Sequence, residues 1–491
     1  MMEWKNLLTT IRLSEEEPDP EAFNDYYISP FERDFERIVS SAAFRRLQDK
    51  TQVFPLSKSD FVRTRLTHSM EVSTIAKQLG IMCFQNTSNY QHLPIDSDED
   101  ECDEKLRTKR VGDIEAILSC AGLLHDLGNP PFGHVGEEII REWFKNNLKR
   151  VYPLREEGEM PVAEMLNEKM TADLTHFEGN AQTLRILSKA RYGSEINLPF
   201  SIIGALLKYP TTCDEIGEAA IRHKIGCYQA EKTSFRQISQ ELGTIGADGM
   251  VVRHPLAYLV EAADDIAYMT ADLEDAVKSD VVSVDDLLTY FKNTYRTLGQ
   301  ESEQSAQHVY RTKEIIDKLD QLNQEEKDKA KVMGRWGTYL RKWLMYVVCW
   351  RFSVSYDSIL DGTYTGDLFY KNNHTLTQTL LKKAMKEFVY GSRIIVEPEV
   401  SAQTILNFLL DKFIPAAVRF DGGGVMTTQD KKVITLMAPN YLNDYRMCSE
   451  EGQITDPGEL LYHRILAATD FISGMTDGYA KTLYRKMSGL E

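Results

Sequence analysis

Between residues 123 and 138 the chain reads LLHDLGNPPFGHVGEE. His125 and Asp126 are adjacent at the end of an apolar, helix-like run, and His134 and Glu137 follow close behind, so that thirteen residues hold four groups able to bind a cation or move a proton. Gly128, Pro130, Pro131, Gly133 and Gly136 punctuate this span, which predicts a bent path rather than a continuous helix. Polar residues gathered so tightly beside an apolar helix point to function.

His125–Asp126 gains weight from partners elsewhere. His68 opens a helix after RTRLT, and Asp264 and Asp265 sit inside the helical stretch AADDIAY. Two imidazoles and two carboxylates suit a first-row divalent ion with water in the open positions. Each residue also has a plainer use: His68 could cap its helix, and Asp264 could pair with an arginine. His134 and Glu137 are three apart and share a face if that turn is helical. Glu137 would then orient the imidazole and stabilise its protonated form, as proton transfer requires. The simpler alternative is a carboxylate complementing a helix N-terminus. Arg65, Lys208 with Tyr209, and Lys224 could together compensate several negative charges. No GxxxxGK[ST] loop, no strand-borne GxGxxG and no GxSxG elbow is present.

The elements that must position these groups read as helices. Helical apolar spacing runs through 30–48, from about 67 through GIMCF, along DIEAILSCAGLLHDLG, from about 178, over 199–208, along 253–279 and across 281–350. The aromatic stretch 335–352 reads as core, and the C-terminal segment reads as a helical pair. Residues 50–65 read as a strand-like or looping excursion, 145–170 as charged loop, and SRIIVEPEVS at 392–401 as a short strand. The polar stretch 86–112, with its acidic run DSDEDECDE, reads as an exposed or disordered insert. Strand-like alternation is otherwise scarce and no repeat is visible, so the expected class is mainly α, with room for one short β-hairpin. No Pro/Gly/Ser-rich linker divides the chain. The expected layout is a core over 1–280 with a helical extension over 281–491 packed on it.

The chain has 491 residues, 42% of them hydrophobic, ample for a large core. Asp and Glu outnumber Lys and Arg by 74 to 57, for a net charge of −17, which argues against a surface that attracts nucleic acid or anionic membrane as a whole. A polyanionic substrate would need locally placed cations. The seven cysteines are widely spaced without CxxC, which fits free thiols in a reducing compartment. The N-terminus lacks the layout of a signal peptide, and no run approaches the ~18 apolar residues of a membrane span. A cytoplasmic protein is expected.

The order His68, His125–Asp126, Asp264 resembles the H…HD…D pattern of the HD-domain metal-dependent phosphohydrolases. Within that superfamily the chain resembles the bacterial deoxyguanosine triphosphate triphosphohydrolases. The similarity rests on FRRLQDKTQVFP (44–55), RTRLTHSMEV (63–72), HDLGNPPFGHVGE (125–137), HFEGNAQTLRIL (176–187), GALLKYP (204–210), HPLAYLVEAADDIAYMTADLEDA (254–276) and DFISGMTDGYA (470–480). The resemblance implies an HD-domain helical core. It implies His68, His125, Asp126 and Asp264 as ligands of a divalent ion, Mg²⁺ or Mn²⁺, with Asp264 preferred to Asp265 because it precedes Tyr268 by four residues. His134 and Glu137 would be the catalytic pair. Arg65, Lys208, Tyr209 and Lys224 would meet a triphosphate; Gln52, Tyr268 and Asp272 would hold a deoxyribose.

The implied reaction is water attack on the α-phosphorus of a dNTP, dGTP by family expectation, releasing deoxynucleoside and inorganic triphosphate. The competing reading is an HD phosphohydrolase of nucleoside monophosphates or cyclic nucleotides, which would not need the lysine clamp. The bacterial branch also implies a homo-oligomer, a ring-like hexamer, and single-stranded DNA as a partner. Animal relatives that carry a sterile-alpha-motif domain have histidine where this chain has Asn129. Their nucleotide-triggered tetramerisation is therefore not carried over.

Overall fold

The computed structural model describes the chain except residues 15–28, 55–61, 85–94, 96–103, 152–160, 190–195, 219–220, 302–305, 370–374, 422–424, 451–453 and 491. The helices that build the site or hold it are α1 (Arg65–Phe84), α2 (Glu104–Leu124), α3 (Gly133–Asn147), α4 (Gly179–Ser188), α5 (Phe200–Leu206), α6 (Pro255–Lys278), α7 (Lys329–Val354), α8 (Arg393–Arg419), α9 (Pro457–Ser473) and α10 (Asp477–Met487). Among the described residues β-structure is limited to isolated bridges, one of them joining Thr51 and Thr64 within the excursion before α1. None of the helices described is long and apolar enough to cross a membrane.

Small residues set the central packing. A side chain at Gly122 of α2 would lie 2.5 Å from the Ser73 backbone of α1, so only glycine lets the two helices meet there. The Ser73 hydroxyl adds a 2.8 Å hydrogen bond to the Ser119 carbonyl. This close approach brings His68, on α1, beside His125, just past the end of α2. Helix α6 packs across both. It starts at Pro255, whose missing N–H costs nothing at a helix N-terminus, and the His254 side chain caps it by accepting from the Leu256 amide at 3.1 Å.

Two apolar cores interleave along the sequence. One gathers residues between Met2 and Ile395, including α1, α2, α6 and α7. The other joins α3 to the C-terminal helices α8, α9 and α10. In α7 the indole of Trp336 is fully buried and donates to the Ile315 carbonyl at 2.9 Å, so the aromatic stretch supplies core, although Tyr339 and Tyr346 of the same helix are exposed.

Three local expectations need correction. Residues 393–401 are the start of α8, not a strand. Ile394, Val396 and Val400 alternate but are exposed, whereas Ile395, Ala402, Ile405, Leu406 and Leu409 are buried at helical spacing, and that longer period decides the conformation despite Pro398. The last part of the 86–112 insert is the first part of α2, anchored by buried Val111 and by Arg107 and Arg110 donating to the carbonyls of Phe84 and Ile95. The acidic run up to 103 lies outside the described residues. The 145–170 stretch contains the end of α3 and short helices at Val162–Met165 and Glu168–Thr175.

A buried ion cluster ties α4 to α9. Asp470 accepts from Arg185 through Nε and Nη2, each at 2.8 Å, from Gln182 at 2.8 Å and from Lys189 at 3.0 Å. Arg185 also reaches Glu231 at 2.6 Å. Burial would raise the Asp470 pKa, but Arg185 and Lys189 hold it below the usual carboxylate range. A depressed folded-state pKa means that the stabilisation is present above the unfolded carboxylate pKa and is lost as pH falls toward the folded value. Asp470→Ala should cost about 3–5 kcal/mol in urea unfolding at neutral pH, because Arg185 is left buried with too little countercharge. A loss under about 1 kcal/mol would mean that water reaches the cluster freely.

Candidate active site

His68 is fully buried in the first turn of α1. Its Nε2 lies 3.1 Å from Asp264 Oδ1, and His125 Nε2 lies 3.6 Å from the same oxygen. The His125 Nδ1 lies 2.8 Å from the Gly122 carbonyl, which fixes the proton on that nitrogen and turns the lone pair of Nε2 inward. That Nε2 is buried and makes no hydrogen bond among the described residues. The three side chains offer ligand atoms all within 4.8 Å of one another. Asp126 adjoins them, its Oδ2 3.5 Å from His125 Nε2, but it is also paired with Arg65 and accepts from Asn129 Nδ2 at 2.7 Å.

The electrostatics fit a cation. Burial alone would lower the His125 pKa, yet Asp126 and then Asp264 outweigh it and lift the imidazole to about 9. Burial would raise Asp264, but its hydrogen bond to His68 and the nearby positive groups hold it at about 2. Its neighbour Asp265 goes the other way: burial, opposed by Lys208 but reinforced by Glu261 and Asp264, pushes it up to about 7. Of the two, Asp264 keeps the negative charge that a metal ligand needs.

The backbone after Asp126 makes the next part of the site. Phe132 adopts left-handed geometry (φ 63°), as does Gly133 (φ 60°), and the chain then enters α3. For a bulky residue such a conformation costs about 1–3 kcal/mol and persists only when the surroundings enforce it. The bent path expected from the Gly/Pro pattern thus ends at residue 132, and His134 and Glu137 share the first turn of a helix. His134 Nδ1 is 3.1 Å from Glu137 Oε2. Glu137 is buried, and its other oxygen accepts from the Gly179 amide at 2.8 Å, at the N-terminus of α4. A side chain at Gly179 would meet Glu137 Oε1 at 2.7 Å and Asn129 Oδ1 at 2.1 Å. His134 is 81% exposed, because its ring faces a cavity. Its hydrogen bond to Glu137 raises its pKa, while that bond, Lys224 and the Gly179 amide keep Glu137 low against the effect of burial.

The cavity holds about 910 Å³, the size of a small-molecule site. One face of α6 lines it: Glu261, Asp264, Asp265, Tyr268 and Asp272 recur at helical spacing. Lys208 and Lys224 flank the Tyr209 ring, each ammonium 5.8 Å from its centroid. Lys208 lies 3.6 Å from Glu261 and Lys224 lies 3.0 Å from Glu178. Arg65 reaches the same wall with its guanidinium on Asp126. Gln52 also lines the cavity, and its buried Oε1 has no hydrogen-bond partner among the described residues. Burial pushes Asp272 up to about 8, and it accepts from the Tyr390 hydroxyl at 3.1 Å.

Residues 65–176 match the model of the HD domain. Over the full length of both chains this sequence is 40% identical to a deoxyguanosinetriphosphate triphosphohydrolase-like protein of Listeria innocua. It is 33% identical to a protein of the same description from Pseudomonas aeruginosa, over 99% of each chain. With the deoxyguanosinetriphosphate triphosphohydrolase of an Enterobacter species it shares 30% identity over 94% of each chain.

The chain belongs to this family of HD-domain hydrolases.

Family membership carries with it a divalent-metal phosphohydrolase fold, which the His/Asp group drawn from α1, the turn just after α2, and α6 suits. All the sequence-derived candidates line the cavity except His68, which lies behind its wall against Asp264. Sequence reasoning missed Glu261, Glu178 and Tyr390. Glu261 could have been found from its place one turn before Asp264. Glu178 lies inside the matched segment HFEGN. Tyr390 arrives from a distant helix with no local signal.

Proposed function

We propose that this protein hydrolyses deoxynucleoside triphosphates to deoxynucleoside and inorganic triphosphate. dGTP is the preferred substrate on family grounds, and a divalent ion, Mg²⁺ or Mn²⁺, is required. The observation that carries the reading is the meeting, at one cavity, of the His68–His125–Asp264 group, the His134–Glu137 pair and two lysines each 5.8 Å from the centre of the Tyr209 ring. His68, His125, Asp126 and Asp264 would hold the ion. When bound, it supplies Lewis acidity, offsetting phosphate charge and acidifying water.

The chain's own groups do the rest. Lys208 and Lys224 are drawn off Glu261 and Glu178 to the phosphate tail, and Arg65 stands beside them. His134, whose acid form is favoured by its hydrogen bond to Glu137, gives a proton to the departing 5′-oxygen as the α-phosphorus is attacked. Gln52 and Asp272 meet the 3′-hydroxyl, and Asp272, with its raised pKa, can donate as well as accept. Tyr268, four residues beyond Asp264 on the same face of α6, lies under the sugar and leaves no room for a 2′-hydroxyl. A cytoplasmic homo-oligomer with single-stranded DNA as a further partner completes the proposal on family resemblance.

The test is to incubate the protein with each dNTP and rNTP plus Mg²⁺ or Mn²⁺ and separate the products. Deoxynucleoside and tripolyphosphate in equal amounts are expected from dNTPs. Orthophosphate as the first product would favour a monophosphate or cyclic-nucleotide hydrolase instead. Tyr268→Ala should lower the preference for dGTP over GTP on the order of 10–100-fold, read as the ratio of kcat/KM values. An unchanged ratio would move sugar discrimination elsewhere.

A further inference from the structure

One matched segment, SGMTDGYA at 473–480, has no role in the chemistry above. It is the junction of α9 and α10, far from the HD residues in sequence, yet it touches both backbone segments that carry the proposed catalytic and sugar-binding groups. Asp477 is buried at the first position of α10. Its Oδ1 accepts from the Phe132 amide at 3.0 Å. Its Oδ2 accepts from the Thr51 amide at 3.0 Å and from the Thr51 hydroxyl. Phe132 is the left-handed residue that starts the turn into α3, two positions before His134. Thr51 immediately precedes Gln52. One carboxylate thus bridges the loop bearing the proton donor and the loop bearing the sugar contact.

A second contact runs alongside. Buried Lys50 donates from Nζ to the Asn129 carbonyl at 2.5 Å and to the Ser473 carbonyl, at the end of α9, at 3.1 Å. Asn129 in turn holds Asp126 through its amide. The α9–α10 junction is therefore clamped to residues 50–51 and to residues 129–132 by the side chains of Asp477, Lys50 and Thr51, the first two of them buried.

We propose that Asp477 is a positioning residue for the reaction: by holding the Thr51 and Phe132 amides on one carboxylate, it sets His134 in register with Gln52. The substrate part of this inference rests on the triphosphohydrolase reading; the anchoring part does not. Asparagine at 477 keeps one acceptor oxygen and can serve one amide but not both; alanine serves neither.

Two measurements on the full-length protein test it. Hydrogen–deuterium exchange of Asp477→Asn and Asp477→Ala should show faster exchange confined to peptides covering 51–54 and 130–135, with α1, α2 and α6 as in the parent. This readout needs no turnover. In dGTP hydrolysis well below the melting temperature, Asp477→Ala should lose about 10²-fold in kcat with bound metal retained, since a displacement near 1 Å is enough for that. Asp477→Asn should fall between it and the parent. In a His134→Ala background the same substitution should change kcat less than threefold, because the group it positions is gone. Parent-like exchange at both peptides, or the full 10²-fold loss repeated without His134, would overturn the proposal. If the parent released no triphosphate, the functional reading would fall, and the exchange data alone would still decide the anchoring.

Discussion

Replacing His134 by alanine should cut kcat for dGTP hydrolysis by about 10²–10⁴-fold while leaving nucleotide affinity close to that of the parent. The expectation follows from the geometry of the first turn of α3. Glu137 is buried, with one oxygen at 3.1 Å from His134 Nδ1 and the other on the Gly179 amide. It is fixed at both ends and can hold the ring in one orientation, leaving Nε2 to the cavity. The hydrogen bond to Glu137 raises the imidazole pKa and so extends the acid form to higher pH, and the rate should fall as pH rises through the pKa of this group. Glu137→Gln removes the charge that raises it, and should move this alkaline limb to lower pH. Stopped-assay kinetics across a pH series, with nucleotide binding measured separately, check both. A His134→Ala enzyme of near-parent kcat would remove the proton-transfer role.

Asp264→Ala should abolish metal binding and with it measurable turnover. Asp264 Oδ1 is the shared neighbour of His68 Nε2 and His125 Nε2, so its loss leaves two buried imidazoles without the anion between them. Metal content after dialysis, measured by elemental analysis, should drop from one ion per chain to a small fraction. Asp265→Asn should retain the ion, because its carboxyl is already pushed toward neutrality by burial. Full metal content in Asp264→Ala, with loss in Asp265→Asn, would exchange the two assignments. Activity of the parent should vanish with a chelator and return on adding Mn²⁺ or Mg²⁺.

Much of the site was legible because its parts lie on strongly patterned helices. Asp264, Asp265, Tyr268 and Asp272 recur at helical spacing, so one face of α6 could be foreseen as the cavity wall. The His134–Glu137 spacing likewise needed only a helical turn to become a contact. What stayed hidden depended on long-range packing. The approach of α1 to α2 is set by the absence of a side chain at Gly122, and nothing near Gly122 names Ser73 as its neighbour. Tyr390 and Asp477 come from elements more than a hundred residues past α6, and no periodicity links them to Asp272 or Phe132. The 392–401 segment reads as a strand because the β-branched residues Ile394, Ile395 and Val396 run together, and only the following turns reveal the 3.6-residue period. The resemblance implies a phosphate contact for Arg65, whereas its pairing with Asp126 is a tertiary fact that spacing does not encode.

The most direct measurement follows the oxygen of solvent. Hydrolysis of dGTP in ¹⁸O-labelled water, with the products separated and weighed by mass spectrometry, reports which atom was attacked in the cavity. A single ¹⁸O in the released tripolyphosphate, and none in deoxyguanosine, is the result expected if His134 protonates the 5′-oxygen while water adds to the α-phosphorus. Label in the deoxyguanosine hydroxyl, or in orthophosphate with dGDP as the co-product, would contradict the account.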